Sequence, residues 1–254
     1  MLPRPKKRFG QHFLTSRHYL DRIVAEIAPR EGEAIVEIGP GTGILTEELA
    51  SRVSPLHVVE IDRELAAALR ARFDSARVVV HEADALEFDF ASLPQPLRVV
   101  GNLPYNVSTP LLFRVAAIAD RVRDGVFLLQ REVVDRMVAA PGTPDYGRLS
   151  VMLQYRFAMA RAFDVPPEAF TPPPKVDSAV VRMAPLGVDR LKARDEELFA
   201  RVVAAAFEQR RKTLRNAARS VVPEGGFATA CIDPQRRGET LSVAEFVRLA
   251  DAAA

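Results

Sequence analysis

The chain is short of the groups that most enzymes use to break bonds. It has a single cysteine, Cys231, so no disulfide forms within it, and without a matched histidine constellation the thiol reads as core filler. Its four histidines are scattered, which leaves no pattern of metal ligands. No stretch approaches the ~18 to 20 uninterrupted apolar residues of a membrane span. The basic N-terminus is not followed by an apolar core and a cleavage site, so the expectation is a cytoplasmic protein with neither metal nor membrane. Net charge is also small, +2 over 254 residues.

That charge is unevenly spread. Before Asp21 stand Arg4, Lys6, Lys7, Arg8 and Arg17 with no acid among them, and a second cluster holds Arg210, Arg211, Lys212, Arg215 and Arg219. Each cluster alone reads as a solvated face; two in a near-neutral chain point to a polyanion partner. Arg211, Arg215 and Arg219 recur every fourth residue, the spacing of a stripe on a helix.

Short β-branched runs alternate with helical patterns: A-I-V-E-I-G, T-E-E-L-A-S-R, L-H-V-V-E-I-D, R-E-L-A-A-A-L-R-A-R-F, R-V-V-V-H-E-A-D, L-R-V-V-G-N and G-V-F-L-L-Q. This order is the signature of β-α-β units and a parallel sheet. Thr109 as cap with Pro110 in the first helical position predicts a helix start. From about Tyr146 come a helical G-R-L-S-V-M-L-Q-Y-R, a strand A-M-A-R-A-F-D-V, a proline-rich loop and the strand S-A-V-V-R-M. Residues 189–254 read as helices only, the last opened by the capping box Ser242 to Glu245. The expected boundary lies near Gly187, dividing the chain into 1–187 and 188–254.

In an open doubly wound sheet, residues just after successive strands converge on one crevice. Here those residues are Gly39-Pro40-Gly41-Thr42-Gly43, Glu60-Ile61-Asp62, Asp84 and Asn102-Leu103-Pro104-Tyr105. Glycines such as Gly39 and Gly41 let a ligand approach the backbone, but the sixth place of a dinucleotide fingerprint is Ile44, which argues against a pyrophosphate. Glu60 suits the two hydroxyls of a ribose, and Asp84 either accepts from an adenine amino group or simply caps the turn. Together they favour S-adenosylmethionine, which has an adenosyl ribose but no phosphate.

The fourth strand end carries no nucleophile, base or metal ligand. It offers two acceptors, the Asn102 side-chain oxygen and the Leu103 carbonyl, for the two hydrogens of an adenine amino group. Bound so, the nitrogen turns pyramidal and nucleophilic. Pro104 holds Leu103 extended, and Tyr105 supplies a flat face for the base. Methyl transfer is an in-line displacement, for which positioning replaces acid-base chemistry.

At this point the sequence resembles the ribosomal RNA adenine dimethylase family, and within it the small-subunit branch. The resemblance covers essentially the whole chain through K-R-F-G-Q-H-F-L, V-E-I-G-P-G-T-G, E-I-D, E-A-D-A-L, N-L-P-Y, F-T-P-P-P-K-V-D-S, Q-R-R-K-T-L-R-N and I-D-P-Q-R-R-G-E-T-L-S-V-A-E-F. It implies a Rossmann-like class I methyltransferase sheet with helices on both faces, plus a small all-helical C-terminal domain. The implied reaction moves methyl groups from S-adenosylmethionine to N6 of two adjacent adenosines in a 3′-terminal hairpin of 16S rRNA, giving N6,N6-dimethyladenosine.

By the family pattern, cofactor contacts fall on His12, Leu14, Gly39, Glu60, Asp84 and Asn102. His12 departs from the frequent asparagine of Q-N-F-L; a backbone contact survives that change. Phe170 matches the aromatic that covers a flipped base opposite Tyr105. Lys6, Lys7, Arg8, Arg210, Arg211, Lys212 and Arg215 become candidate contacts to RNA phosphates. The expected protein is a monomer acting on the small ribosomal subunit. A large-subunit rRNA adenine methylase and an assembly checkpoint factor acting mainly by binding are the alternatives.

Overall fold

The computed structural model describes residues 11–188, 190–209 and 211–254. Its frame is a seven-stranded sheet in the order β4-β3-β2-β5-β6-β9-β7. The central strands are β2 (Ala34–Ile38), β3 (Leu56–Glu60), β4 (Val78–Glu82), β5 (Leu97–Asn102) and β6 (Val122–Gln130), all parallel. β9 (Ser178–Pro185) runs antiparallel to β6, and β7 (Phe157–Val165) lies beyond it. A separate two-residue pairing joins β1 (Phe13–Leu14) to β8 (Phe170–Thr171).

Helices α1 (Arg17–Ile27), α2 (Ile44–Ala50), α3 (Arg63–Arg72) and α4 (Ser108–Ala117) alternate with the parallel strands. Their sequences explain their limits. Asp62 caps α3 by accepting from Glu64 N, with Glu64 in the first turn and Arg70 and Arg72 in the last, each sign matched to its end of the helix dipole. α4 begins two residues earlier than Thr109 as cap would place it: Leu111 N donates to Val107 O, which makes Val107 the cap and puts Pro110 third in the helix. Proline is tolerated there because first-turn N–H groups have no intrahelical partner.

The sheet turns direction between β2 and β5: the chain leaves β2 outward to β3 and β4, then returns to β5 on the other side. A crevice therefore opens beyond the carboxyl ends of β2 and β5. Those strands approach so closely that a Cβ on Gly101 would stand 2.3 Å from Ile38 O, which excludes any larger residue. At the opposite end, Arg98 of β5 is locked beneath the sheet. Its Nε and Nη2 donate to the Asp124 carboxylate at 2.7 and 2.8 Å, Nη1 to Glu33 at 2.6 Å, and Nη2 also to Ile27 O.

The chain divides into two units, one of 1–134 with 159–185 and one of 135–158 with 186–254. The second therefore includes a segment that the expected single boundary at Gly187 assigned to the first. This segment carries the second half of α5 (Arg131–Val138) and all of α6 (Arg148–Gln154). The reason is burial: Tyr146, Val151 and Tyr155 belong to the apolar core that Phe199 and Val202 of α7 (Glu196–Glu208) and Phe246 of α10 (Val243–Asp251) also build. The capping box of α10 is formed as expected, with Glu245 N donating to Ser242 Oγ and Ser242 N to Glu245 Oε2.

The basic stripe is not. Between α7 and α9 (Glu224–Thr229) the only helix described is the single turn α8 (Leu214–Ala217). Leu214 N and Arg215 N donate to Arg236 O and Pro234 O, so the backbone is drawn into a loop rather than a helix through Arg211 and Arg219.

Candidate active site

The four strand ends do converge. One cleft is lined by Gly39, Pro40 and Gly41 after β2, Glu60 and Ile61 at the end of β3, Asp84 after β4, and Asn102, Leu103, Pro104 and Tyr105 at the end of β5, with His12, Phe13 and Leu14 closing a side. Glu37, Glu60 and Asp84 give it three carboxylates, and no Lys or Arg is among the described residues that line it. A phosphate ligand would find acids there and no described Lys or Arg to pair with, so a cation is favoured.

The glycine loop is fixed by its own geometry and by Glu60. Gly41 has φ +57°, and a Cβ on it would lie 3.0 Å from the Phe13 ring, so glycine is required on both counts. Glu60, almost wholly buried, accepts from Gly41 N at 3.1 Å through Oε2 and from Asp62 N at 2.9 Å through Oε1. Burial pushes its carboxyl above the usual range, against the pull of these donors. A carboxylate has about four acceptor sites, so with these donors and the nearby Ile61 N–H one is left for a ribose hydroxyl. Asp84 uses Oδ1 to accept from Leu86 N at 2.8 Å, so the turn-capping role is real and Oδ2 is left for a ligand.

The N-L-P-Y corner is held from two sides. Asn102 Nδ2 donates to His12 O at 2.9 Å, which assigns the side-chain oxygen to the other face of the amide. The His12 ring stacks on Tyr105 with centroids 5.6 Å apart and planes 25° apart, while its Nδ1–H donates to Pro172 O at 2.8 Å. The Tyr105 hydroxyl pairs with Ser178 Oγ at 2.6 Å, and burial raises its pKa, so the ring stays neutral. Leu103 is tied into the sheet edge by its N–H, which donates to Leu128 O at 3.1 Å.

Phe170 is not brought to the cleft. It is 3 % exposed, pairs with Leu14 across β1 and β8, and sits within the apolar cluster that includes Leu20, Val165 and Val180. In this structure it packs as core and does not form the wall opposite Tyr105 that was expected of it.

Among the basic candidates, Lys6, Lys7, Arg8 and Arg210 lie outside the described residues. Arg211 and Lys212 are exposed, and Arg215, also exposed, pairs with Glu224. No group of three or more His, Cys, Asp or Glu among the described residues is placed to hold a metal ion. No described helix is long and apolar enough to cross a membrane.

Three residues of the site escaped the sequence reading. Ser178 opens β9 and anchors Tyr105 from 73 residues away, a contact with no local signal. Ile61 lines the cleft at 45 % exposure, large for an apolar side chain. Glu37 did carry a signal, a carboxylate inside an otherwise apolar strand core, and proves to be a cleft residue at 2 % exposure.

Known proteins resemble the whole of this chain. A family profile described as ribosomal RNA adenine dimethylase matches residues 3–254. The ribosomal RNA small subunit methyltransferase A of Aromatoleum aromaticum is 59% identical over 246 residues, covering 97% of this chain and 93% of that protein. Its counterpart in Laribacter hongkongensis is 59% identical over 249 residues, with 97% and 95% covered. Among solved structures, a dimethyladenosine transferase from Plasmodium falciparum shares the fold with a TM-score of 0.78 at 24% identity, covering 94% of this chain and 96% of that one. The 23S rRNA methyltransferase ErmE has a TM-score of 0.71 at 26% identity, with 94% and 98% covered. With a sheet, a cleft and a strand-end corner that fit it, the chain belongs to the ribosomal RNA adenine dimethylase family.

Proposed function

We propose that the chain is an S-adenosylmethionine-dependent rRNA dimethyltransferase that methylates N6 of two adjacent adenosines in a 3′-terminal hairpin of 16S rRNA in the small ribosomal subunit. The observation that carries this reading is the pinned Asn102 amide at the edge of a cleft that has three carboxyl groups and no Lys or Arg among its described residues. When bound, S-adenosylmethionine supplies the electrophilic methyl carbon. Glu60 binds the ribose, Asp84 the adenine amino group, and Gly39, Gly41 and the backbone of His12 and Leu14 leave room for the chain between them.

Asn102 and Leu103 then orient the target amine. With Nδ2 committed to His12 O, Asn102 presents Oδ1 to one N–H, and the Leu103 carbonyl accepts the other. Acceptors fixed in advance favour the positively charged, tetrahedral nitrogen of the transition state over the flat ground state. Tyr105 supports the base face, at a stacking contribution of roughly 1 to 3 kcal/mol, which offsets part of the few kcal/mol that extruding a base costs. Phe170 has no part in this unless β8 shifts. Arg211, Lys212 and Arg215, with Lys6, Lys7, Arg8 and Arg210, contact RNA phosphates.

A cytoplasmic, monomeric enzyme fits the substrate. Methylation of 23S rRNA is the second reading, favoured by the 26% identity to ErmE but outweighed by 59% identity to small-subunit enzymes. The deciding experiment supplies labelled S-adenosylmethionine with undermethylated small subunits or with large subunits and digests the RNA. Labelled dimethyladenosine from the small subunit alone supports the proposal; label confined to the large subunit selects the second reading. A factor acting only by binding would give no label from either.

A further inference from the structure

Glu37 has no role in the reaction as described above, yet it forms part of the cleft wall. It is buried at 2 % exposure on β2, one residue before the strand's end, and lines the same cleft as the glycine loop and Glu60. α2 faces it with Thr46, whose hydroxyl donates to Glu37 Oε2 at 2.7 Å. The acids at that end of the neighbouring strands are Glu60, which ends β3, Asp62 in the turn after it, and Asp84 after β4; the cations there are engaged in pairs, Arg63 and Arg70 with Glu82, and Arg72 with Glu47 and Thr42 O. β5 presents Gly101 and Asn102, and the remaining titratable groups lining the cleft are His12 and Tyr105. Burial and the charge on Glu60 push Glu37 up to about 8, with only the Thr46 hydroxyl opposing them. Burial and a neighbouring like charge both disfavour the ionised form of an acid so placed.

We propose that Glu37 discriminates the charged methyl donor from the spent product, releasing its proton when the sulfonium cation enters the cleft and regaining one when methyl transfer leaves a neutral thioether. The inference rests on the cleft being the cofactor site. The balance closes through water. As the carbon–sulfur bond breaks, its electron pair stays on sulfur; the amine lone pair forms the new carbon–nitrogen bond, and the amine sheds one proton to solvent. Glu37 takes a proton from the same solvent, so that the cleft holds one more ionised carboxylate with donor than with product. The donor then gains an ionic attraction that the product lacks, which favours exchange after each turnover.

The test is calorimetric titration of the full-length protein with S-adenosylmethionine and with S-adenosylhomocysteine at pH 7, in two buffers of different ionisation enthalpy. The wild type minus Glu37→Gln difference cancels protons exchanged by the ligand's own amino group. The expected difference is close to one proton released per donor bound and none per product bound. The donor-to-product affinity ratio of the wild type should rise about tenfold per pH unit between pH 6 and 7.5, the slope of one linked proton. In Glu37→Gln that rise should vanish. If Glu37→Gln does not fold, the wild-type pH slope alone decides, and Thr46→Val, which removes the opposing hydrogen bond, should move its end point to higher pH. A pH-independent ratio, or equal proton release with donor and product after the subtraction, overturns the inference while leaving the cofactor cleft intact. Failure of both ligands to bind overturns the cleft assignment and this inference with it.

Discussion

Replacing Asn102 by alanine removes one acceptor of the target amine and the donor that meets His12 O at 2.9 Å. The two losses differ in size and in the step they affect. Losing the hydrogen bond to a partly buried carbonyl costs about 1 to 2 kcal/mol of stability, a shift of a few degrees in melting temperature. Losing an acceptor fixed for the transition state costs about 3 to 4 kcal/mol of activation free energy, or 10²- to 10³-fold in kcat. Asn102→Ala should therefore remain folded, bind S-adenosylmethionine within roughly threefold of wild type, and turn over about 10²-fold or more slowly. Asn102→Asp keeps an acceptor but points a carboxylate at the His12 carbonyl, so it should lose orientation and fall between the two. Single-turnover methyl transfer to undermethylated subunits, beside calorimetric cofactor binding, separates the effects. Turnover of Asn102→Ala within threefold of wild type would refute the role assigned to the amide.

Four further outcomes are expected. Ser178→Ala frees the Tyr105 hydroxyl and should lower kcat about tenfold with cofactor affinity unchanged, measured in the same assay. Arg98→Met strips the buried Asp124 carboxylate of its two-pronged partner, leaving it only Arg182 Nη2 at 3.0 Å, and should cost about 3 kcal/mol in denaturant unfolding. Glu245, held down to about 2 chiefly by the Arg236 guanidinium, contributes stability that is fully present above pH 4.5 and lost as pH falls toward 2. Glu245→Gln should accordingly lower the melting temperature at pH 7 and leave it unchanged near pH 2. Charge reversal at Arg211 and Lys212 should weaken binding to small subunits and flatten its salt dependence in filter-binding assays, with full retention of affinity returning both residues to a solvated surface.

The sheet and most of the cleft were legible in the sequence because both depend on local order. Alternating β-branched and helical runs give parallel strands, and the residues just after β2, β3, β4 and β5 must then meet at one edge. Glu60 and Asn102 could be placed at that edge before any fold was known, since each ends a strand. What sequence hid are the long-range packing choices. Phe170 stands in a motif that suggested a cleft wall, but pairing of β8 with β1 turns it into the core. The four-residue spacing of Arg211, Arg215 and Arg219 suggested a helix, whereas the carbonyls of Pro234 and Arg236 capture the backbone donors that a helix would need. Tyr146 and Tyr155 are likewise ordinary helical-segment aromatics in sequence, and only their burial with α7 and α10 assigns 135–158 to the second unit.

The central claim is that the corner at 102–105 grips an exocyclic amine in front of the methyl donor. A crystal structure with S-adenosylhomocysteine and an adenosine nucleotide tests it most directly. The account predicts N6 within hydrogen-bond reach of both Asn102 Oδ1 and Leu103 O, on the line that continues from the sulfur through the missing methyl. A base bound elsewhere, or one whose amine faces away from both acceptors, would contradict it.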